Sequence, residues 1–190
     1  MPKTSTFSGK RLITGWVTEG PWGGCVVTHE LVQRADGTLG TRFIDALLPE
    51  RVETVEAASR HIAAESGSGD ALLLTAKGDF RTKLRLTPEA DNAGYGLELI
   101  GKGGSLRLEL DSAYGTAQLM RGTDIASTPR CMTLTGAGWC GKAFDLELIV
   151  CGGVMEVQLP GDHIMMAGHT LTGPFELRAY ARCPLTVENI

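Results

Sequence analysis

The sequence predicts an all-β protein, built as a two-sheet antiparallel β-sandwich and preceded by a few strands that lack a core of their own. Two observations predict the sandwich. Runs that alternate between apolar and polar residues recur about every 8–12 residues, the spacing of short strands in sandwiches. Turns rich in glycine separate these runs, and the chain of 190 residues has 25 glycines. Packing the apolar faces of two such sheets together buries one core.

The clearest pair of strands spans residues 144–150 and 155–159, which Cys151-Gly152-Gly153 joins. Alternation of period two with a connection of this kind predicts a hairpin, with the apolar side chains of each strand on one face. The same alternation predicts strands at 81–86, 95–100, 106–110, 116–120, 131–135, 163–167, 175–180 and 185–188.

The N-terminal part reads differently. Within residues 1–48, two apolar strands at 11–17 and 25–33 and an extended piece at 38–48 are too few to close a core alone. Residues 49–70 are expected to be a linker, in which 52–65 has near-helical spacing and forms either a short helix or an irregular connector. The sandwich then occupies residues 71–190.

Composition excludes several classes of protein. A formal net charge of −4 gives no basic footprint for nucleic acid. The sequence has no apolar run near the ~20 residues of a membrane helix and no apolar core of a signal peptide. Five cysteines with irregular spacing predict reduced thiols rather than a disulfide framework, and hence a cytoplasmic protein without membrane contact.

Two histidine patterns invite a metal interpretation. His29 and Glu30 begin a helical zinc motif, but Gln33 stands where the second histidine belongs, and the local pattern is that of a strand. In a strand, adjacent side chains point to opposite faces, so these two cannot act on one atom. His163 and His169 are better explained as a strand and a loop histidine. We therefore predict no metal and no cofactor.

Carboxylates and tryptophans are the remaining candidates for a site. Glu109 and Asp111 share a strand face, and paired carboxylates carry out glycoside hydrolysis, but on an alternating strand a solvent face is expected. Trp16, Trp22 and Trp139 offer rings on which sugars stack, although single tryptophans more often belong to a core or an interface.

Several segments, in order, resemble the end of the catalytic β-propeller and the C-terminal β-sandwich of glycoside hydrolase family 32, the invertases, inulinases and levanases. Trp16, Glu30 and Glu156 stand at motif positions of that family and are expected to be structural. His29, Cys151 and Gly153 depart from the family pattern. The segments that carry the resemblance are 9–16, 22–24, 28–31, 36–39, 144–158 and 173–187.

The resemblance implies a jelly-roll or lectin-like sandwich after propeller-type strands that end a blade. The comparison with the family also shows what this sequence lacks. The family's catalytic carboxylates lie in W-x-N-D-P-N-G, R-D-P and E-C motifs, and these motifs do not occur in these residues. Retaining hydrolysis needs two carboxylates about 5–5.5 Å apart, and nothing here would hold them. We therefore predict no catalytic residue and no enzymatic activity for this chain alone.

The resulting hypothesis is a non-catalytic C-terminal module of a glycosidase, with a structural or carbohydrate-binding accessory role. Trp22 and Trp139 are the candidates for binding carbohydrate. A catalytic-domain partner chain or a homodimer is expected, because orphan strands expose unpaired backbone. Two alternatives stay open: a fragment of a β-fructosidase that is active only with the missing blades, and a stand-alone lectin-like sugar binder.

Overall fold

The computed structural model describes residues 2–18, 24–90, 93–122 and 130–190, and almost all regular structure in them is β-strand. Four strands form an antiparallel sheet at the N-terminus, called sheet I, in the order β1-β2-β3-β4. None of the described helices could span a bilayer. The bounds in sheet I are β1 (Lys3–Phe7), β2 (Lys10–Thr18), β3 (Gly24–Gln33) and β4 (Leu39–Arg42), followed by a 3-10 helix at Asp45–Leu47.

Two further sheets pack face to face and form the predicted sandwich. Sheet II has the order β12-β11-β10-β9-β16-β7, and sheet III has the order β15-β14-β13-β8-β17-β6, with β5 parallel to β8. Their bounds are β5 (Glu53–Thr54), β6 (Arg60–Ile62), β7 (Gly69–Ala76), β8 (Phe80–Pro88), β9 (Gly94–Lys102), β10 (Gly104–Asp111), β11 (Thr116–Arg121), β12 (Arg130–Thr135), β13 (Phe144–Cys151), β14 (Val154–Leu159), β15 (His163–Gly168), β16 (Thr172–Ala181) and β17 (Leu185–Asn189).

The core lies between sheets II and III, where alternation places one side chain in two from each strand. Leu97 and Leu108 of sheet II and Leu84 and Leu148 of sheet III are fully buried. Burying an aliphatic side chain of this size contributes about 2 kcal/mol, so this core is a large favourable contribution to the stability of the sandwich. The predicted all-β sandwich is confirmed, and each strand predicted within residues 81–188 is present.

Two stretches differ from the expectation. Residues 52–65 contain no helix; they are irregular except for β5 and β6, which hydrogen-bond to β8 and β17 and so extend the sandwich into the predicted linker. Strands β1 and β7 were not predicted, because β1 is exposed and polar except for Phe7, and β7 begins at Gly69, inside the predicted linker. The proposed boundaries at residues 48 and 70 stay a prediction.

Sheet I is joined to the sandwich along the edge of β4. The amide of Thr41 donates to the carbonyl of Asp162 at 2.8 Å, and Arg42 forms an ion pair with the Asp162 carboxylate at 2.5 Å. Arg34 donates to the carbonyls of Gly161 and Asp162. Gly40 permits this approach, because a Cβ atom there would lie 2.7 Å from Asp162. The turn after β14 therefore covers an edge that would otherwise be open.

Candidate functional site

His29 and Glu30 point to opposite sides of β3, as the alternation predicts. Glu30 accepts from the ammonium of Lys10 at 2.5 Å within sheet I. His29 is buried, and its Nε2 lies 2.7 Å from Oε2 of Glu156 on β14. The pair that began like a metal motif is thus divided, and His29 belongs to the interface between sheet I and the sandwich. Glu156, expected to be structural, is its partner there.

Sheet I leaves large apolar side chains uncovered. Phe7, Trp16 and Val26 lie on one face of sheet I and are 60%, 63% and 61% exposed, with Phe7 opposite Lys10 at the other end of β2 from Trp16; together they are called the first-sheet patch. Trp16 and Val26 are cross-strand partners on β2 and β3. A groove of about 430 Å³ reaches Trp16 from the other face of sheet I, where Ile13, Val27 and His29 line it together with Met166 of the sandwich. Uncovered apolar side chains next to a groove are typical of a protein–protein contact surface.

The other predicted tryptophans lie apart from this patch. Trp22 falls outside the described residues. Trp139 is half-buried, and its ring centroid lies 4.7 Å from that of Phe144, so part of its surface is taken up by the core. The structure does not bring Trp16 and Trp139 together in any described pocket. Carbohydrate binding by Trp22 or Trp139 stays a prediction.

A second group of side chains lies on the outer face of sheet II, the face turned away from the core. Glu109 of β10 and Tyr180 of β16 both stand opposite Gly96 of the intervening strand β9. A Cβ atom at Gly96 would lie 2.8 Å from the Tyr180 hydroxyl, so glycine leaves room for that hydroxyl to reach across β9. There it donates to the Glu109 carboxylate, and it lies 3.1 Å from the carbonyl of Leu108.

Glu98 and Arg107 form the next row of the same face. They are cross-strand partners, with Nη2 of Arg107 3.6 Å from Oε2 of Glu98. The Arg107 guanidinium also lies over the Tyr180 ring, 3.9 Å from its centroid, which fixes its orientation. Glu98 is 9% exposed. We call Glu98, Arg107, Glu109 and Tyr180 the outer-face cluster.

The environment of Glu109 corrects the expectation of a solvent face. Glu109 is 8% exposed, because Tyr180 of the same row and Arg107 of the adjacent row cover it. Burial raises the pKa of its carboxyl above the ordinary 4.5, although the hydrogen bond from Tyr180 and the charge of Arg107 act in the opposite direction. A carboxyl with a raised pKa favours the folded state when protonated and loses that contribution as it ionises.

We therefore expect the substitution Glu109→Gln to flatten the pH dependence of stability. The contribution of Glu109 is present below pH 4.5 and is lost as the pH rises through its raised value, whereas glutamine does not ionise. The free energy of unfolding of the variant minus that of the parent should thus increase from pH 4.5 towards neutrality. Urea unfolding at a series of pH values measures it, with Glu176→Gln, an exposed residue of the same face, as the control. A difference that stays constant or falls would contradict the assignment.

His163, His169 and the five thiols are the remaining candidates for metal binding. His163 has its Nδ1 2.9 Å from the carbonyl of Pro160, and His169 packs edge-on against Phe175. Across the described ranges, no three His, Cys, Asp or Glu side chains are grouped as metal ligands would be. All five cysteines are free thiols.

No protein-family model and no curated protein matches this chain. Solved structures do match. A glycoside hydrolase family 32 β-fructofuranosidase from Bombyx mori aligns with 99% of the chain at a TM-score of 0.66 and 13% identity. An exo-inulinase from Aspergillus awamori aligns with 100% at 0.63 and 12%. The carbohydrate-binding module CBM66 from Bacillus subtilis aligns with 73% at 0.52 and 11%.

The fraction of the matched protein that the chain covers differs between the enzymes and the binding module. The chain spans only 39% and 42% of the two enzymes, but 96% of the binding module. It therefore has the fold of the C-terminal portion of the family 32 fructofuranosidases and inulinases, which confirms the resemblance found in the sequence. Since CBM66 aligns with 73% of the chain and the enzymes with nearly all of it, the enzyme-like fold extends beyond the part shared with the binding module. At 11–13% identity these likenesses establish the fold alone.

Proposed function

We propose that this chain is a non-catalytic C-terminal module of a glycosidase, in which sheet I packs against the remaining blades of a β-propeller and the sandwich serves as an accessory. The observation that carries the proposal is the first-sheet patch. Three large apolar side chains at 60% exposure or more are a poor surface for a free protein, but a suitable one for a neighbouring blade.

Sheet I has the form of one blade: four antiparallel strands in sequence order. A single blade cannot bury both of its faces. Its β4 edge is already held by the sandwich through Thr41 and Arg42, and its His29 face contacts Glu156, so a further partner must approach the face that carries Trp16 or the β1 edge. The fructofuranosidase and the exo-inulinase that match this chain are more than twice its length, which supports a partner made of further blades.

Catalysis by the chain alone is not part of the proposal, because the motifs of the family's catalytic carboxylates do not occur in its sequence. The outer-face cluster does contain two carboxylates. They lie on adjacent strands with Arg107 close to both, a geometry of mutual neutralisation rather than of an acid and a nucleophile on either side of a scissile bond. The second candidate function, a split β-fructosidase, rests on the same first-sheet patch and differs in that the reunited protein would be active.

Association is tested by co-expressing the chain with the polypeptide encoded immediately upstream of it. We expect the two to co-purify, and we expect the Trp16→Ser variant to lose the association, because it removes the largest apolar side chain of the patch. Tyr114→Ser is the matched control, since Tyr114 is 81% exposed but lies outside sheet I, and it should leave association intact.

Sucrose and inulin hydrolysis, measured on the pair and on each part, separates the two candidate functions. Activity of the pair alone favours the split enzyme, and inactivity of a stable pair favours the accessory module. Hydrolysis by the isolated chain, or a pair that forms equally well with Trp16→Ser, would overturn the proposal.

A further inference from the structure

We propose that Cys25 and Cys151 are a redox-sensitive pair, which a small disulfide such as oxidised glutathione converts into a covalent bond between sheet I and the sandwich. Both residues are free thiols in the structure, so the bond is inducible and is not part of a disulfide framework. It forms within one chain and needs no further blades, and it therefore goes beyond the proposed function.

The first support is that both side chains enter the same space. Cys25 lies on the face of β3 that also carries His29, which is the face turned to the sandwich. Cys151 ends β13, and it points away from the core because it alternates with the buried Val150. The two thiols line one cavity of about 390 Å³ between sheet I and the sandwich. Both are half-buried, so a small disulfide can reach them.

The second support is the proximity of the two residues through Gly152. The thiol of Cys25 donates to the carbonyl of Gly152, the residue directly after Cys151. Its sulfur also lies 4.0 Å from the position that a Cβ atom of Gly152 would occupy. Bond formation thus requires this sulfur to move to the adjacent residue, whose Cα atom is about 3.8 Å further along the chain. Gly152 and Gly153 both have a positive φ, and hairpin glycines without side chains permit such an adjustment.

The third support is the distribution of contacts along β14. Beyond one end of this strand, Arg42 of sheet I is ion-paired with Asp162, and near its middle His29 contacts Glu156. Beyond the other end, the contact is the hydrogen bond of the Cys25 thiol, which is a weak donor. The cavity also leaves this part of the interface unfilled. A covalent bond would therefore secure the end of sheet I at which these contacts are weakest.

The reaction is a thiol–disulfide exchange. The Cys25 thiolate attacks one sulfur of glutathione disulfide, and one glutathione leaves as a thiolate. The Cys151 thiolate then attacks the Cys25 sulfur of this mixed disulfide, and the second glutathione leaves. Two protein thiols are oxidised to one disulfide while one glutathione disulfide is reduced to two thiols. The protons that the cysteines release to solvent are balanced by those that the glutathione thiolates take up.

The surroundings of Cys151 predict how the closing step depends on pH. Burial raises the pKa of its thiol to about 11, and Asp79 acts in the same direction, whereas the Arg51 guanidinium, 3.7 Å from the sulfur, opposes them. His29 and Glu156 line the same cavity. An intramolecular attack tolerates a small thiolate fraction. Because the thiolate is the attacking group, the closing step should accelerate about tenfold for each pH unit between pH 7 and 9.

The test incubates the folded chain with glutathione disulfide, alkylates the remaining thiols and maps the cross-linked peptides by mass spectrometry. We expect the parent to yield a peptide pair joined through Cys25 and Cys151. Cys151→Ser should stop at the mixed disulfide on Cys25. Cys131→Ser is the matched control, because it removes an exposed thiol outside this cavity, and it should form the bond as the parent does.

The consequence for the fold is measured by amide hydrogen exchange. The bond should slow exchange in β2 and β3 about tenfold or more, dithiothreitol should reverse the effect, and Cys151→Ser should not respond. A bond between other cysteines, a mixed disulfide that does not close, or a bond that forms in urea but not in the folded chain would overturn the proposal. So would unchanged exchange after the bond has formed. The experiment uses the chain without a partner, so its failure and the failure of the proposed function are distinguishable.

Discussion

The substitution Gly96→Ala is expected to lower the free energy of unfolding by about 3 kcal/mol, the upper part of the range for forcing extra volume into a packed site. The added Cβ would lie 1.8 Å from the carbonyl oxygen of Leu108 and 2.8 Å from the Tyr180 hydroxyl. The first contact involves backbone, so strands β9 and β10 must separate locally to relieve it. Both strands line the core, where Leu97 and Leu108 are fully buried.

Chemical denaturation followed by tryptophan fluorescence measures this loss. Gly78→Ala is the matched control, because a Cβ there has nothing within 4 Å, and it should be neutral or stabilising by up to about 1 kcal/mol through the unfolded state. A Gly96→Ala protein as stable as the parent would show that sheet II can absorb the methyl group. The close approach of Tyr180 and Leu108 across β9 would then have no structural importance.

Gly96 also shows what the sequence could and could not predict. Alternation within single strands predicted the strands of the sandwich, because period-two patterning is local. The order of the strands is not local: β9 lies beside β16, more than 70 residues later, and β8 lies between β13 and β17. Tyr180 and Glu109 meet over Gly96 only because the strands have this order. Local patterns in the sequence do not reveal the order of strands in a sheet.

The same reason explains the wrong expectation for Glu109. From alternation it faces away from the core, which is correct, and solvent exposure was inferred from that. The neighbours that bury it belong to β16 and to the adjacent row of the sheet. One local signal was present: Gly94 and Gly96 occupy successive outward positions of β9, and glycine within a strand often marks a close approach of other groups.

The interface between sheet I and the sandwich was predicted in part. The resemblance to family 32 singled out Glu156 as structural and His29 as a departure from the pattern, but it did not connect them. They are 127 residues apart and meet through one hydrogen bond of 2.7 Å. A buried histidine with a carboxylate partner so far along the chain follows from the fold, not from the local sequence around either residue.

Removing that partner should have the second large effect. In Glu156→Ala, Nε2 of His29 keeps its buried position and loses its hydrogen-bond partner, which costs about 2 kcal/mol for a buried polar group. The loss should fall on the attachment of sheet I rather than on the sandwich, whose core does not include His29. Amide hydrogen exchange should therefore accelerate in β2 and β3 while β9 and β13 stay protected.

Two further variants separate the hydrogen bond from other effects at this position. Glu156→Gln keeps an acceptor for His29 and should retain most of the protection of β2 and β3, whereas Glu53→Ala, at an exposed residue of β5, should change nothing. Equal loss of protection in Glu156→Ala and Glu156→Gln would assign the effect to charge. Arg42, Arg34 and Thr41 keep their contacts to residues 161–162 in every variant. Unchanged exchange in Glu156→Ala would therefore mean that these contacts hold the β4 edge without help from His29.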